Sequence, residues 1–153
     1  MAEFVENAVQ LVESGQNVLL EDSIPCNKGY VLHRNGSGII TLRGIVNNPC
    51  ARFARYHVAF NGNIAVPTGG TAGPIAVSIA VNGEPRPTSR AIVTPAAVED
   101  YSNVTSTAIV TVPKGCCFSI SVRAVSGLVD DEAGTAAPAI NVTNSNLVIT
   151  RVA

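Results

Sequence analysis

Ala54-Arg55-Tyr56-His57-Val58-Ala59-Phe60-Asn61-Gly62-Asn63-Ile64-Ala65-Val66 alternates along nearly its whole length. Tyr56, Val58, Phe60, Gly62 and Ile64 fall on one side. Arg55, His57, Ala59, Asn61 and Asn63 fall on the other. Successive side chains of an extended chain point to opposite faces, so this stretch writes one apolar and one polar face. An antiparallel strand with its core side covered and its other side wet needs that pattern. Tyr56, Val58, Phe60 and Ile64 are therefore expected in a core. Arg55, His57 and Asn61 are candidate interface residues on the polar face.

The same period-two pattern runs outward in both directions. Tyr30–Arg34 and Ile39–Arg43 flank Asn35-Gly36-Ser37-Gly38, and Asn-Gly tolerates the positive φ that hairpin turns require. Val18–Glu21 reads as a short strand after the Ser14-Gly15 turn. Pro67–Gly73 is a loop. Ile75, Val77, Ile79 and Val81 alternate with Ala76, Ser78 and Ala80, up to a turn at Asn82-Gly83. Arg90–Thr94 and Val104–Val112 are further runs, and Pro113-Lys114-Gly115 is a turn. Phe118, Ile120 and Val122 share one face of Cys117–Ala124. Ile79, Phe118 and Ile120 thus join the expected core. Ser126–Pro138 reads as a long surface loop, and Ile140–Val152 closes the chain with a bend expected at Asn144–Asn146. Phe4, Ala8, Leu11 and Val12 fit a helical stripe or a strand, and the strand or arm reading is preferred. Residues 1–16 are thus an N-terminal arm or first strand, and 17–153 one folded domain. Eight to ten short strands at even spacing predict an all-β, antiparallel, two-sheet sandwich or jelly roll.

Composition narrows the function. Of 153 residues, 46% are hydrophobic and only 14% charged, against about 25% in ordinary soluble domains. So few charges leave neutral surface that copies of the same chain would cover. The net charge of -1 gives no global field for nucleic acid. Acids cluster in residues 1–22, whereas residues 28–90 carry Lys28, Arg34, Arg43, Arg52, Arg55, Arg86 and Arg90 against Glu84 alone. No apolar run reaches the roughly 18 residues of a membrane span. The acids of Met1–Gln10 do not suit a secretory leader, so synthesis in a cytoplasm is expected. Without secretion, the Asn35, Asn103 and Asn141 sequons read as turn and strand residues.

The chemistry-bearing residues form no recognisable motif. Cys26, Cys50, Cys116 and Cys117 lack C-x-x-C spacing, which leaves zinc ribbons and thioredoxin motifs unsupported. Cys26 and Cys50 lie in loops and a disulfide between them stays open, with reduced thiols the default. On a strand, Cys116 and Cys117 would point to opposite faces, one inward and one outward. His33 and His57 have no recognisable nucleophile and orienting acid beside them. If copies meet at His57, assembly becomes sensitive to pH. Asp130-Asp131-Glu132 lacks the alternating ligands of a calcium loop, and Gly69-Gly70-Thr71-Ala72-Gly73 lacks the Lys of a phosphate loop. No enzyme, cofactor, metal, membrane or nucleic-acid partner is expected.

Certain stretches resemble the complement-globular-head and tumour-necrosis-factor-like jelly rolls. Tyr56-His57-Val58-Ala59-Phe60 followed by Asn61-Gly62-Asn63 is similar to that family's central strand. Ile79-Ala80-Val81-Asn82-Gly83-Glu84-Pro85, Val110-Thr111-Val112-Pro113-Lys114-Gly115 and Asn146–Val152 look like later elements of the same fold. The resemblance spans roughly residues 17–152. It implies a compact homotrimer, and among phage and prophage relatives a virion structural protein that decorates a capsid, forms a head fibre or tips a fibre. The N-terminal arm and Ser126–Pro138 would then be free for attachment or display. No Gly-X-Y stalk is present, a departure from the bacterial spore-surface members. A carbohydrate- or receptor-binding module and a bacterial spore or cell-surface protein are the alternatives.

Overall fold

The computed structural model describes residues 1–24, 29–34, 36–128 and 137–153. Two antiparallel sheets of six strands each stack face to face. The first follows the order β10 (Ser102–Pro113), β6 (Phe53–Ala65), β12 (Ile140–Arg151), β1 (Ala2–Glu6), β3 (Asp22–Ile24), with β2 (Gln10–Val12) also on β12. The second runs β4 (Val31–His33), β5 (Ile40–Arg43), β11 (Cys117–Ser126), β7 (Ile75–Val81), β8 (Glu84–Pro85), with β9 (Ala91–Val93) also on β7. Among the described residues the sole helical element is a 3-10 turn at Pro87–Ser89. The two-sheet jelly roll expected from alternation is thus the fold. Among the described residues it has twelve strands rather than eight to ten, because β2, β3, β4, β8 and β9 are pieces of two or three residues.

β6 lies between β10 and β12, and its alternation sorts as expected. Tyr56, Val58, Phe60 and Ile64 are fully buried. Ile40, Leu42, Ile79 and Ile120 meet them from the other sheet, also fully buried. Each such side chain contributes about 1.5–3 kcal/mol relative to an exposed one. Phe118 departs from expectation: it is only partly buried. It sits opposite Leu42 at the start of β11.

The N-terminal residues are a strand and not a free arm. Ala2 and Phe4 are buried, and β1 pairs with β12 on one side and β3 on the other. The expected strand at Val18–Glu21 is absent. Val18 and Leu20 are core residues, but the segment bridges the sheets instead: Val18 N–H donates to the Val122 carbonyl at 2.8 Å, and Gly36 N–H to the Leu20 carbonyl at 3.2 Å. The Gln10 side chain supplies Leu19 with both backbone partners, at 2.8 and 2.9 Å.

β7 is buried on both faces despite its alternation. Arg90, just before β9, donates to the carbonyls of Ser126 and Leu128 at 3.4 and 3.0 Å. β7 lies between those elements, so the guanidinium must cross its outer face, where Ala76 and Ser78 lie. Arg123 of β11 holds Asn17 Oδ1 at 3.1 Å and the Gly83 carbonyl at 2.7 Å, and covers that face near Ala80. Small outward residues let the two arginine stems lie flat.

Two turns follow their residues. Asn82 (φ 52°) and Gly83 (φ 83°) form the two-residue link between β7 and β8, both left-handed as a type I′ turn requires. In β12 the register shifts between Thr143 and Asn146, with Asn144 at φ 48°, so Asn144 and Ser145 bulge opposite Gly62. A Cβ on Gly62 would lie 3.3 Å from Ser145 Cβ and 3.0 Å from Phe60 Cζ, which is why a glycine interrupts the core row there. The bend expected at Asn144–Asn146 is this bulge. Gly36, at φ 79°, belongs to the expected β4–β5 hairpin, whose Asn35 lies outside the described residues.

Candidate interaction face

The outer face of the first sheet collects the polar sides of β10, β6, β12 and β1. Register places Ile109, His57 and Thr150 in one row, with Ile109 49% exposed and His57 half-buried between its neighbours. The next row holds Thr107, Ala59, Val148 and Glu3. The one after holds Thr105, Asn61, Asn146 and Val5. Thr105 donates to Asn61 Oδ1 at 3.2 Å, and Asn103 Nδ2 to Asn63 Oδ1 at 3.2 Å. Such cross-strand pairs tie side chains of neighbouring strands together. Charge reaches this face only at its margins, through Arg55 at one end and Glu3 with Asp22 at the far edge.

The three candidate interface residues share this face without converging on a single point. Arg55 to Asn61 spans six residues, roughly 20 Å of extended chain. Arg55 is exposed and lies over the Phe53 ring, 4.6 Å from its centroid. Asn61 is exposed and tied to Thr105. Ile109, Thr107, Val148 and Asn146 were missed by sequence reading. Each lies on its strand's outward row, but only register shows which of them neighbour His57 and Asn61. Asn146 is the unusual one. Its Nδ2 donates to Glu3 Oε1 at 3.2 Å, while its buried Oδ1 has no partner among the described residues. An orphaned buried acceptor costs about 1–3 kcal/mol until a donor arrives.

Other candidates resolve into structure. His33 packs its ring on Phe4, with centroids 4.7 Å apart, and its Nε2 faces the Ser37 carbonyl at 2.8 Å. Cys50, Cys116 and Cys117 are free and exposed. The vicinal pair does not split inward and outward, because Cys116 still belongs to the turn: its N–H donates to the Pro113 carbonyl at 3.0 Å. Cys26 and Asp130-Asp131-Glu132 lie outside the described residues. Among the described residues no group of three His, Cys, Asp or Glu side chains could hold a metal ion. Among the described residues no helix is long and apolar enough to cross a membrane. One shallow depression of ≈ 400 Å³ is lined by Gln10, Leu11, Gln16 and Leu19, and another of ≈ 420 Å³ by Val81, Glu84, Arg86 and Pro87.

No protein-family model matches the chain, and no curated protein is similar to it by sequence. Among solved structures, the globular domain of zebrafish complement 1qA protein is similar at a TM-score of 0.55 and 13% identity, covering 96% of this chain and 94% of that one. The C-terminal domain of EclA, a sugar-binding protein, gives 0.40 at 16% identity, covering 95% and 81%. A family 35 carbohydrate-binding module from Clostridium thermocellum gives 0.35 at 17% identity, covering 95% and 96%. The first of these likenesses, together with the strand order, defines a jelly-roll sandwich of the complement-globular-head and tumour-necrosis-factor type. At 13% identity it speaks for the fold alone.

Proposed function

We propose that this chain is a non-enzymatic structural protein that assembles as a homotrimer through the outer face of the β10–β6–β12–β1 sheet, and that it serves as a decoration, head-fibre or fibre-tip protein of a tailed-phage or prophage virion. The outer face itself carries the assembly reading. It is nearly uncharged and stocked with Ile109, Thr107, Ala59, Val148 and Val5. Depletion of charge at the centre with charge at the rim is how association surfaces differ from ordinary surface. The virion assignment rests on the sequence resemblance at Tyr56–Asn63, Ile79–Pro85 and Val110–Gly115. Fold by itself specifies no function.

Sedimentation of the purified chain tests assembly: a trimer is expected, and a stable monomer at high concentration overturns it. Cryo-electron microscopy of native particles tests location, with density for this sandwich on head or fibre expected. A second reading, a carbohydrate-binding module, draws on Tyr101, which is 39% exposed and lies beside Asp100 and Asn103. A ring face next to a carboxylate and an amide suits a pyranose. Glycan-array binding lost in Tyr101→Ala would favour that reading over the first.

A further inference from the structure

One end of the sandwich is knitted from segments distant in sequence: Lys114 N–H donates to the Arg52 carbonyl at 2.9 Å, Gly115 N–H to Gly44 at 3.0 Å, and Arg55 N–H to Ala153 at 3.1 Å. Arg43 pairs with Cys117, and Arg151 with Tyr56, at the same end. These segments bring Arg52, Arg55 and Lys114 to the surface, with Arg43 and Arg151 half-buried behind them. Stretches 43–55, 113–117 and 149–153 contain no acid. Among the described residues, the side chains of Arg52 and Lys114 make no hydrogen bond or ion pair.

Three of the eleven acids lie at the other end. Glu6 closes β1, Glu13 follows β2, and Glu99 N–H is held by the Val66 carbonyl just past β6 at 2.8 Å. β6 runs between the two ends with 13 residues, about 40 Å at a rise of roughly 3.3 Å. That exceeds several times the screening length of ~8 Å at physiological ionic strength, so each end acts on a partner by itself. A net charge of -1 conceals this local cluster of cations.

We propose that the cationic end is an attachment face that docks on an acidic protein surface. This deepens the structural-protein reading and rests on it, by naming the chemistry of what the oligomer attaches to. The cations are mixed with exposed apolar groups: Phe53 is 39% exposed under Arg55, and Val152 is 54% exposed beside it. Apolar and aromatic groups set among arginines suit a protein partner. A nucleic-acid site would call for an overall basic domain, which this chain is not. Arginine forks match carboxylates two bonds at a time, so they select acidic side chains.

The test uses the full chain against immobilised poly-L-glutamate, with heparin and duplex DNA as parallel probes. Salt-dependent binding, tightest to poly-L-glutamate and weakened at least tenfold in R52E/K114E, is the expected result. Arg52→Ala with Lys114→Ala, a milder pair, keeps the test open if charge reversal harms folding, and a loss of threefold or more is expected. No binding to poly-L-glutamate, tighter binding to heparin or DNA, or binding unchanged in both variants overturns the proposal. Sedimentation of the same samples separates the two readings. A trimer that ignores poly-L-glutamate sinks only the attachment face, and a monomer that binds it sinks only the assembly.

Discussion

The Tyr56 hydroxyl donates to the Arg43 carbonyl at 2.6 Å, a bond from β6 of one sheet to the end of β5 in the other. Tyr56 is fully buried, so its phenol needs a partner inside the protein. Arg43 ends β5, where the ladder leaves a carbonyl to be answered. Tyr56→Phe keeps the ring and removes the donor. It is expected to cost about 1–3 kcal/mol, since it strands a buried carbonyl. Urea denaturation will report this as a lower midpoint with an unchanged slope.

Ser89 holds the sandwich shut at the β9 side. Between β8 and β9 the chain leaves β7, and the Ser89 hydroxyl fills the gap by accepting from Ile79 N–H at 3.0 Å. Its backbone carbonyl takes a hydrogen bond from the Ser106 hydroxyl across the sheets. Ser89 is 3% exposed, so water cannot replace it. Ser89→Ala is expected to cost about 1–3 kcal/mol. Its amide-exchange signature is faster exchange at Ile79 than at Val77, whose β9 partner Ala91 remains.

How far the sequence reveals this molecule depends on how local each cause is. The inward row of β6 is legible because alternation is a property of neighbouring residues. The Asn82-Gly83 turn is legible because few residues accept positive φ in succession. The double burial of β7 is not, because it depends on Arg90 and Arg123 reaching across from other strands. Val18–Glu21 looks like a strand because its apolar residues are truly core, but its backbone bonds go to Val122 and Gly36 and form no continuous ladder. For the interaction face, Arg55, His57 and Asn61 could be picked from one strand. Ile109, Val148 and Asn146 become their neighbours only through register. The cationic end is farther still from legibility, since it gathers residues from 43 to 151.

The thiols offer a direct check on the turn at Lys114–Cys116. Cys50, Cys116 and Cys117 are free and exposed. Native protein is expected to react with a chromogenic disulfide reagent at no fewer than three thiols per chain, without denaturant. A vicinal pair split between core and solvent would give fewer fast-reacting thiols. Single Cys→Ser variants assign each one, and stability within about 0.5 kcal/mol of the parent is expected, as for exposed positions generally.

Ala59 stands at the middle of the interaction face, flanked by Thr107 on β10 and Val148 on β12. Its side chain points away from the core, so a larger residue there leaves Val58 and Phe60 undisturbed. In an assembled trimer, Ala59→Arg would place three like charges against a nearly uncharged surface. An unpaired charge buried in an interface costs several kcal/mol. The expected outcome is a folded monomer with a far-ultraviolet spectrum like that of the parent and a sedimentation coefficient that has fallen to the single-chain value. Ala59→Ser, which adds only a hydroxyl, is expected to stay assembled. If Ala59→Arg still sediments as an oligomer, the contact between copies lies on some other surface, and the Thr and Asn face is ordinary solvated sheet.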